Sequence, residues 1–333
     1  MKRQKNGFKS RILVTGAGGF IGYHLAKFLV KKGYWVRGVD IKKPEFGASS
    51  ASEFKLMDLR LWENCRKAVK DIDEVYTLAA NMGGIGFITE AKAEVMRDNV
   101  LINTHILEAA RLAGIKRLFY SSSACIYPIY KQERPDIAGL KESDAYPADP
   151  DNEYGWEKLF TERLCKDYYT DYGLETRIAR FHNIYGPEGT WEGGREKSPA
   201  ALCRKVAEAK ENGIIDIWGD GKQTRSYCYI DDCLEGIYRL MQSDFREPLN
   251  IGTDRMVSID ELADIIMKIA GKSLSRKHDL SKPQGVRGRN SDNTLMKKIL
   301  NWEPEIFLEE GLSRTYRWIE QQVRENRKKK KPE

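Results

Sequence analysis

Residues 11–22, RILVTGAGGFIG, constrain the chain more than any other stretch: an apolar run gives way at once to closely spaced glycines and then to the helix-like YHLAKFLV at 23–30. The segment reads as strand, tight turn and helix. Gly16 permits the turn, Gly18 and Gly19 let backbone N–H groups approach a pyrophosphate, and Gly22 allows helix and strand to pack closely. The start of the helix adds partial positive charge. A second apolar run at 35–39 leads into Asp40, eighteen residues past Gly22, where a carboxylate can accept hydrogen bonds from a ribose. That carboxylate repels a 2′-phosphate, so the expected ligand is NAD and not NADP. An ordinary α/β turn with chance glycines is the competing reading, and it does not account for strand, spacing and acid together.

Apolar runs continue to alternate with amphipathic stretches. Residues 12–15, 36–39, 74–79, 117–121 and 177–181 read as strands, and 22–32, 96–113 and 154–172 as helices. Strand–helix alternation with right-handed crossovers predicts an α/β fold, a doubly wound parallel sheet of Rossmann type with its ligand crevice at the strand C-termini. Past Gly186 the pattern is irregular until helical periodicity returns at 259–270 and 308–324. The expected organisation is an NAD-binding domain over 1–185, completed by segments around 225–255, a smaller substrate-binding lobe over 186–325 and a basic tail at 326–333.

Composition removes other classes. With 41% hydrophobic residues in 333, the chain has ample core and no apolar run of membrane-span length. Residues 1–10, MKRQKNGFKS, are charged and are followed by no apolar segment long enough for a secretion signal. Cys65, Cys125, Cys165, Cys203, Cys228 and Cys233 are scattered without C-x-x-C spacing, as expected of reduced thiols in the cytoplasm. His24, His105, His182 and His278 show no metal-ligand spacing, so no metal is expected. The net charge of +7 owes much to RENRKKKK at 324–331, which reads as a solvated helix end. No aromatic platform accompanies it, so no nucleic-acid partner is expected. Arg195, Lys205, Arg225, Arg287 and Arg289 can instead receive the phosphates of a nucleotide substrate.

YGWEK at 154–158 puts Tyr154 and Lys158 four apart on one helix face. Alone that spacing is commonly a solvated face. With the glycine loop, and with Ser121, Ser122 and Ser123 closing a strand, it reads as a phenol whose pKa a lysine and an oxidised nicotinamide lower towards the general-base range. Two further groups, Cys125 in SSSACIY at 121–127 and Lys197 in GTWEGGREK at 189–197, look like an additional proton-transfer pair. Their bland readings are a small buried thiol and a loop cation.

With these residues in place the chain resembles the extended short-chain dehydrogenase/reductase family, and within it the GDP-mannose 3,5-epimerases. The resemblance runs through ANMGGIGF (80–87), SSACIYP (122–128), FHNIYGP (181–187), GGREKSP (193–199), WGDG (218–221) and GVRGRNSD (285–292). It implies that Tyr154, with Lys158 and Ser123, serves C4 of the sugar, and that Cys125 and Lys197 epimerise. It also implies NAD contacts from Gly16, Gly18, Gly19, Phe20, Ile21, Gly22, Asp40 and Asp58, alongside Tyr154 and Lys158. GDP-mannose contacts are implied for Gly83, Ser123, Ala124, Cys125 and Asn183. Glu196, Lys197, Lys205, Gln223, Arg225 and Arg289 complete that set, and a homodimer through the helices at 96–113 and 154–172 is implied as well.

The chemistry explains why both sets of groups are needed. Hydrogens on C3 and C5 of a hexose are not acidic, but a ketone at C4 adjoins both, and donors to its oxygen stabilise either enolate. A thiol and an amine can then remove a proton from one face and deliver one to the other. A nucleotide-sugar 4-epimerase would use Ser123, Tyr154 and Lys158 alone. A 4,6-dehydratase would show an Asp-Glu pair where Ala124 and Cys125 stand, and an NAD-sensing scaffold would have no use for all four proton-transfer groups.

Overall fold

A computed structural model describes residues 7–329. The first half alternates β1 (Arg11–Thr15), α1 (Phe20–Lys31), β2 (Trp35–Asp40), β3 (Glu53–Leu56), α2 (Trp62–Ala68) and β4 (Glu74–Thr77). It continues through α3 (Ile85–Glu90), α4 (Lys92–Leu112), β5 (Arg117–Ser123), α5 (Glu153–Tyr172) and β6 (Glu175–Phe181). Then come β7 (Ile184–Tyr185), α6 (Ser198–Glu208), β8 (Ile214–Trp218), β9 (Thr224–Ser226), β10 (Cys228–Tyr229), α7 (Ile230–Gln242) and β11 (Leu249–Ile251). The chain closes with β12 (Met256–Ser258), α8 (Ile259–Ala270), β13 (Ser275–Asp279), β14 (Gly288–Arg289), α9 (Thr294–Leu300) and α10 (Leu308–Lys329).

Seven strands form one sheet in the order β11-β6-β5-β4-β1-β2-β3, every pair parallel. Crossovers therefore put helices on both faces, which is why the central strands read as unbroken apolar runs. One face packs Ile106, Leu107 and Ala110 of α4 and Cys165 of α5 against Leu13, Val75 and Leu118. The other is continuous with the C-terminal elements: a single apolar cluster runs from Ile12 in β1 through Leu202 in α6 and Ile266 in α8 to Val323 in α10. The sheet is thus the doubly wound Rossmann type, and its topological reversal between β1 and β4 opens the crevice expected there.

Helix ends follow local chemistry. Asn152 caps α5 by accepting from Gly155 N–H, and Gly173, at φ 70°, ends it. Ser258 and Glu261 form a capping box on α8. Helix α10 runs beyond the expected 308–324: Arg327 donates to the Glu208 carbonyl at 2.7 Å, so the start of the basic tail is docked helix. Lys330 and Lys331 of that tail lie outside the described residues, as do residues 1–6. Strands β9, β12 and β14 make a small mixed sheet and β8 pairs with β13, both beside the crevice. No helix among the described residues is long and apolar enough to cross a membrane.

Candidate active site

After β1 the chain turns at Gly16, φ 72°, where a Cβ would stand 2.7 Å from the Ala79 nitrogen. A Cβ on Gly22 would lie 2.1 Å from the Gly16 carbonyl, and one on Gly18 would lie 2.2 Å from the Lys42 carbonyl. These close approaches bring the Asp40 carboxylate into the loop, where it accepts from Gly18 N–H at 2.9 Å and Lys42 N–H at 3.1 Å. Gly19 N–H donates to the Gly16 carbonyl at 3.0 Å. The amides of Gly18 and Gly19 are thus used within the loop, and what these two glycines offer a pyrophosphate is close approach to the backbone. By helix geometry the first-turn N–H groups of Phe20, Ile21 and Gly22 have no intrahelical acceptor, the first such bond running from Tyr23 to the Gly19 carbonyl.

A cleft of about 540 Å³ follows, lined by Gly16, Gly19, Phe20, Ile21, Gly22, Asp40 and Asp58, and further along by Ser123, Tyr154 and Lys158. Asp58 pairs with Arg60 at 2.8 Å, which holds its carboxyl below the usual range. Gly18 lines only an adjoining notch of about 30 Å³.

Gly155 lets α5 meet the loop that carries Cys125: a Cβ there would stand 2.2 Å from the Cys125 carbonyl. This packing sets Tyr154 beside Ser123. Lys158 is buried, its Nζ 5.3 Å from the Tyr154 ring centre and 3.8 Å from Glu157 Oε1. Burial pushes the Tyr154 phenol well above its ordinary pKa, with Glu157 and Cys125 adding to the rise and Ser123 opposing it. The lowering expected from Lys158 and an oxidised nicotinamide together concerns the protein with NAD bound. Burial also lowers the Lys158 pKa, and Glu157, which opposes that shift, balances the lysine's charge locally.

Cys125 sits in a 3₁₀ turn whose first residue is capped by Ser123: Ser123 Oγ accepts from Cys125 N–H at 3.2 Å. Arg289 in β14 donates from Nη1 to Cys125 Sγ at 3.2 Å, from Nε to Gln132 Oε1 at 2.6 Å, and faces Asp151 at 3.5 Å. Burial works against its charge, but Cys125 and Asp151 outweigh it and raise the guanidinium pKa. Lys197, just before α6, opens onto this cleft and the cofactor cleft alike. Lys197 is exposed along part of its length, but the protein packed around its ammonium still lowers its pKa by desolvation, with Cys125 and Cys233 opposing.

The second cleft, about 950 Å³, is lined by Gly83, Cys125, Glu196, Lys197, Lys205, Gln223, Arg225 and Arg289. Gln223 Oε1 is buried there without a hydrogen-bond partner, so it is available to a ligand. Burial, reinforced by Arg289, takes Arg225 down to about 10. Asn183, expected on the substrate, lines the cofactor cleft instead and donates to the Ser226 carbonyl at 2.9 Å. Ala124 is buried and lines neither cleft, while Arg287 pairs with Asp220 at 3.0 Å. Sequence reading missed Gln132 and Asp151, which hold Arg289; neither lies in a motif, and no local spacing points to them.

The family profile described as "NAD dependent epimerase/dehydratase family" matches residues 12–252. The chain belongs to that family. Its cofactor is NAD, and the Asp40 carboxylate beside two fixed N–H groups suits a ribose. Among relatives in this family, GDP-mannose 3,5-epimerase 1 of Oryza sativa subsp. indica is 52% identical over 317 residues, 95% of this chain and 83% of the relative. GDP-mannose 3,5-epimerase of Arabidopsis thaliana is 51% identical over 321 residues, 96% and 84% of the two chains. A crystal structure of UDP-glucose 4-epimerase with UDP-glucose from Thermotoga maritima superposes with a TM-score of 0.84 at 27% identity, covering 94% of this chain and 99% of that one. UDP-glucuronic acid 4-epimerase from Bacillus cereus, in complex with UDP-glucuronic acid and NAD, gives 0.78 at 27% identity, covering 94% and 99%.

Proposed function

We infer that the chain converts GDP-D-mannose to GDP-L-galactose, with GDP-L-gulose as the singly epimerised product, by epimerising C5 and C3 of the hexose. One observation carries this: the cleft next to Tyr154 holds a thiol on an arginine, Cys125 on Arg289, together with an amine, Lys197, that opens onto both clefts. A simple 4-epimerase needs neither group. The relatives above 50% identity carry the same activity in their names.

NAD, held in the cleft lined by Phe20, Ile21, Asp40 and Asp58, would supply reversible hydride transfer at C4. Tyr154 takes the C4 hydroxyl proton, Lys158 supports it through charge, and Ser123 stands beside the phenol. Tyr154 and Ser123 then serve as donors to the C4 oxygen as an enolate forms towards C3 or C5. Cys125 and Lys197 exchange protons with the carbon from opposite faces. The lowering of the Lys197 pKa favours its neutral, proton-accepting form, and Arg289 Nη1 donates to the Cys125 sulfur at 3.2 Å. Lys205 and Arg225 supply cations for the diphosphate, Gln223 Oε1 offers a free acceptor, and Glu196, held by Arg204 at 3.0 Å, shapes the wall.

The test is NMR of GDP-mannose incubated with the protein in deuterated water. Deuterium at C3 and C5 is expected. Inversion at C4 without such exchange would instead establish a 4-epimerase. We further propose a homodimer, supported by exposed Met96, Leu112, Trp156, Phe160 and Tyr172 on α4 and α5; a monomer mass by light scattering would contradict it. A cytoplasmic location is supported by six free cysteines, and recovery of the native protein from a secreted fraction would contradict it.

A further inference from the structure

Gln132 is completely buried in the loop that follows the Cys125 turn. All its polar atoms are engaged. Nε2 donates to the carbonyls of Tyr127 at 2.9 Å and Pro128 at 3.2 Å, and Oε1 accepts from Arg289 Nε at 2.6 Å. Its backbone carbonyl accepts from Arg287 N–H at 2.9 Å and Gly288 N–H at 3.2 Å. The side-chain orientation is unambiguous, because two carbonyls surround one end and an N–H donor meets the other. One amide therefore ties the loop bearing Cys125 to the strand bearing Arg289. A guanidinium is planar and rigid, so fixing Nε in direction also fixes where Nη1 points, and here it points to Cys125 Sγ at 3.2 Å.

We propose that Gln132 is a positioning residue for the epimerising thiol: it holds Arg289 on Cys125. A neutral amide suits the task, because it accepts from the guanidinium without competing with sulfur for the positive charge. A carboxylate at the same place would pair with Arg289 and draw it away. The proposal rests on the role given to Cys125 above.

The experiment compares Gln132→Met, which keeps the volume and loses both sets of side-chain hydrogen bonds, with Gln132→Glu, which keeps the acceptor and adds charge. Iodoacetamide alkylation of the unliganded protein reads the Cys125 thiol directly, since the other five cysteines are buried. Both variants are expected to alkylate more slowly by about tenfold, the worth of one hydrogen bond to a charged group. Entry of deuterium at C3 and C5 should fall in kcat to a similar extent with little change in KM, while reduced-nicotinamide absorbance still develops on adding GDP-mannose. A purely structural role would lower thermal stability and leave the alkylation rate of the folded protein alone. Wild-type alkylation in either folded variant overturns the proposal. Absence of C3 and C5 exchange in the parent protein would instead overturn the proposed function, and the alkylation rates would still judge Gln132.

Discussion

His182 is fully enclosed beside the site, its Nε2 2.9 Å from Asn250 Oδ1. Burial takes its pKa down to about 3; the Asn250 hydrogen bond opposes this, while Arg289 and Arg180 add to it. The native state thus holds the ring neutral across a range in which the unfolded chain protonates it. Stability from this group is complete above the ordinary value of 6.5 and is lost as pH falls through it towards 3. The slope is at most about 1.4 kcal/mol per pH unit from one proton. Denaturant melts at pH 7 and pH 5 should show a larger loss in the parent than in His182→Gln, whose side chain does not titrate; equal losses would remove His182 from the pH response. At this scale motifs pointed to Cys125, Tyr154, Lys158 and Lys197, each of which lines one or both clefts. It was silent on Gln132, because a buried amide has meaning only through partners as far away as Arg289, 157 residues on.

Among the elements, α1, α4, α5 and α8 were readable from their length, with side-chain caps to mark α5 and α8, and α8 spans the expected 259–270. Edge strand β3, half exposed, and the three-residue β11 were not among the expected strands, since short strands owe their existence to non-local pairing. The glycine loop was readable in its spacing, whereas the partners of its amides depend on where Asp40 folds in. A contrast tests that detail. Gly22→Ala puts a methyl 2.1 Å from the Gly16 carbonyl, whereas Gly19→Ala meets that oxygen at an ordinary 3.4 Å at φ −92°. Gly22→Ala should cost about 1–3 kcal/mol of overpacking and abolish NAD retention, while Gly19→Ala should keep its thermal midpoint within a few degrees. Comparable melting of the two would show that the close approach does not govern the loop.

For the whole molecule, one apolar cluster joins sheet and C-terminal elements, so the walls of the two clefts are set against each other by shared core. That arrangement brings Lys197, at the start of α6, to the junction of both clefts, where Cys125 also stands on the substrate side. The sequence supplied the parts, but only the fold supplies Arg289 on the thiol, 164 residues apart. The central claim is that hydride transfer at C4 and proton transfer at C3 and C5 use separate groups around one ketone, which makes them separable by mutation. The most direct measurement gives Cys125→Ala and Lys197→Ala GDP-mannose in deuterated water and follows reduced-nicotinamide absorbance together with deuterium at C3 and C5. Each variant should still reduce its nicotinamide while deuterium entry and GDP-L-galactose fall by several orders of magnitude; full GDP-L-galactose production by both variants would contradict the account.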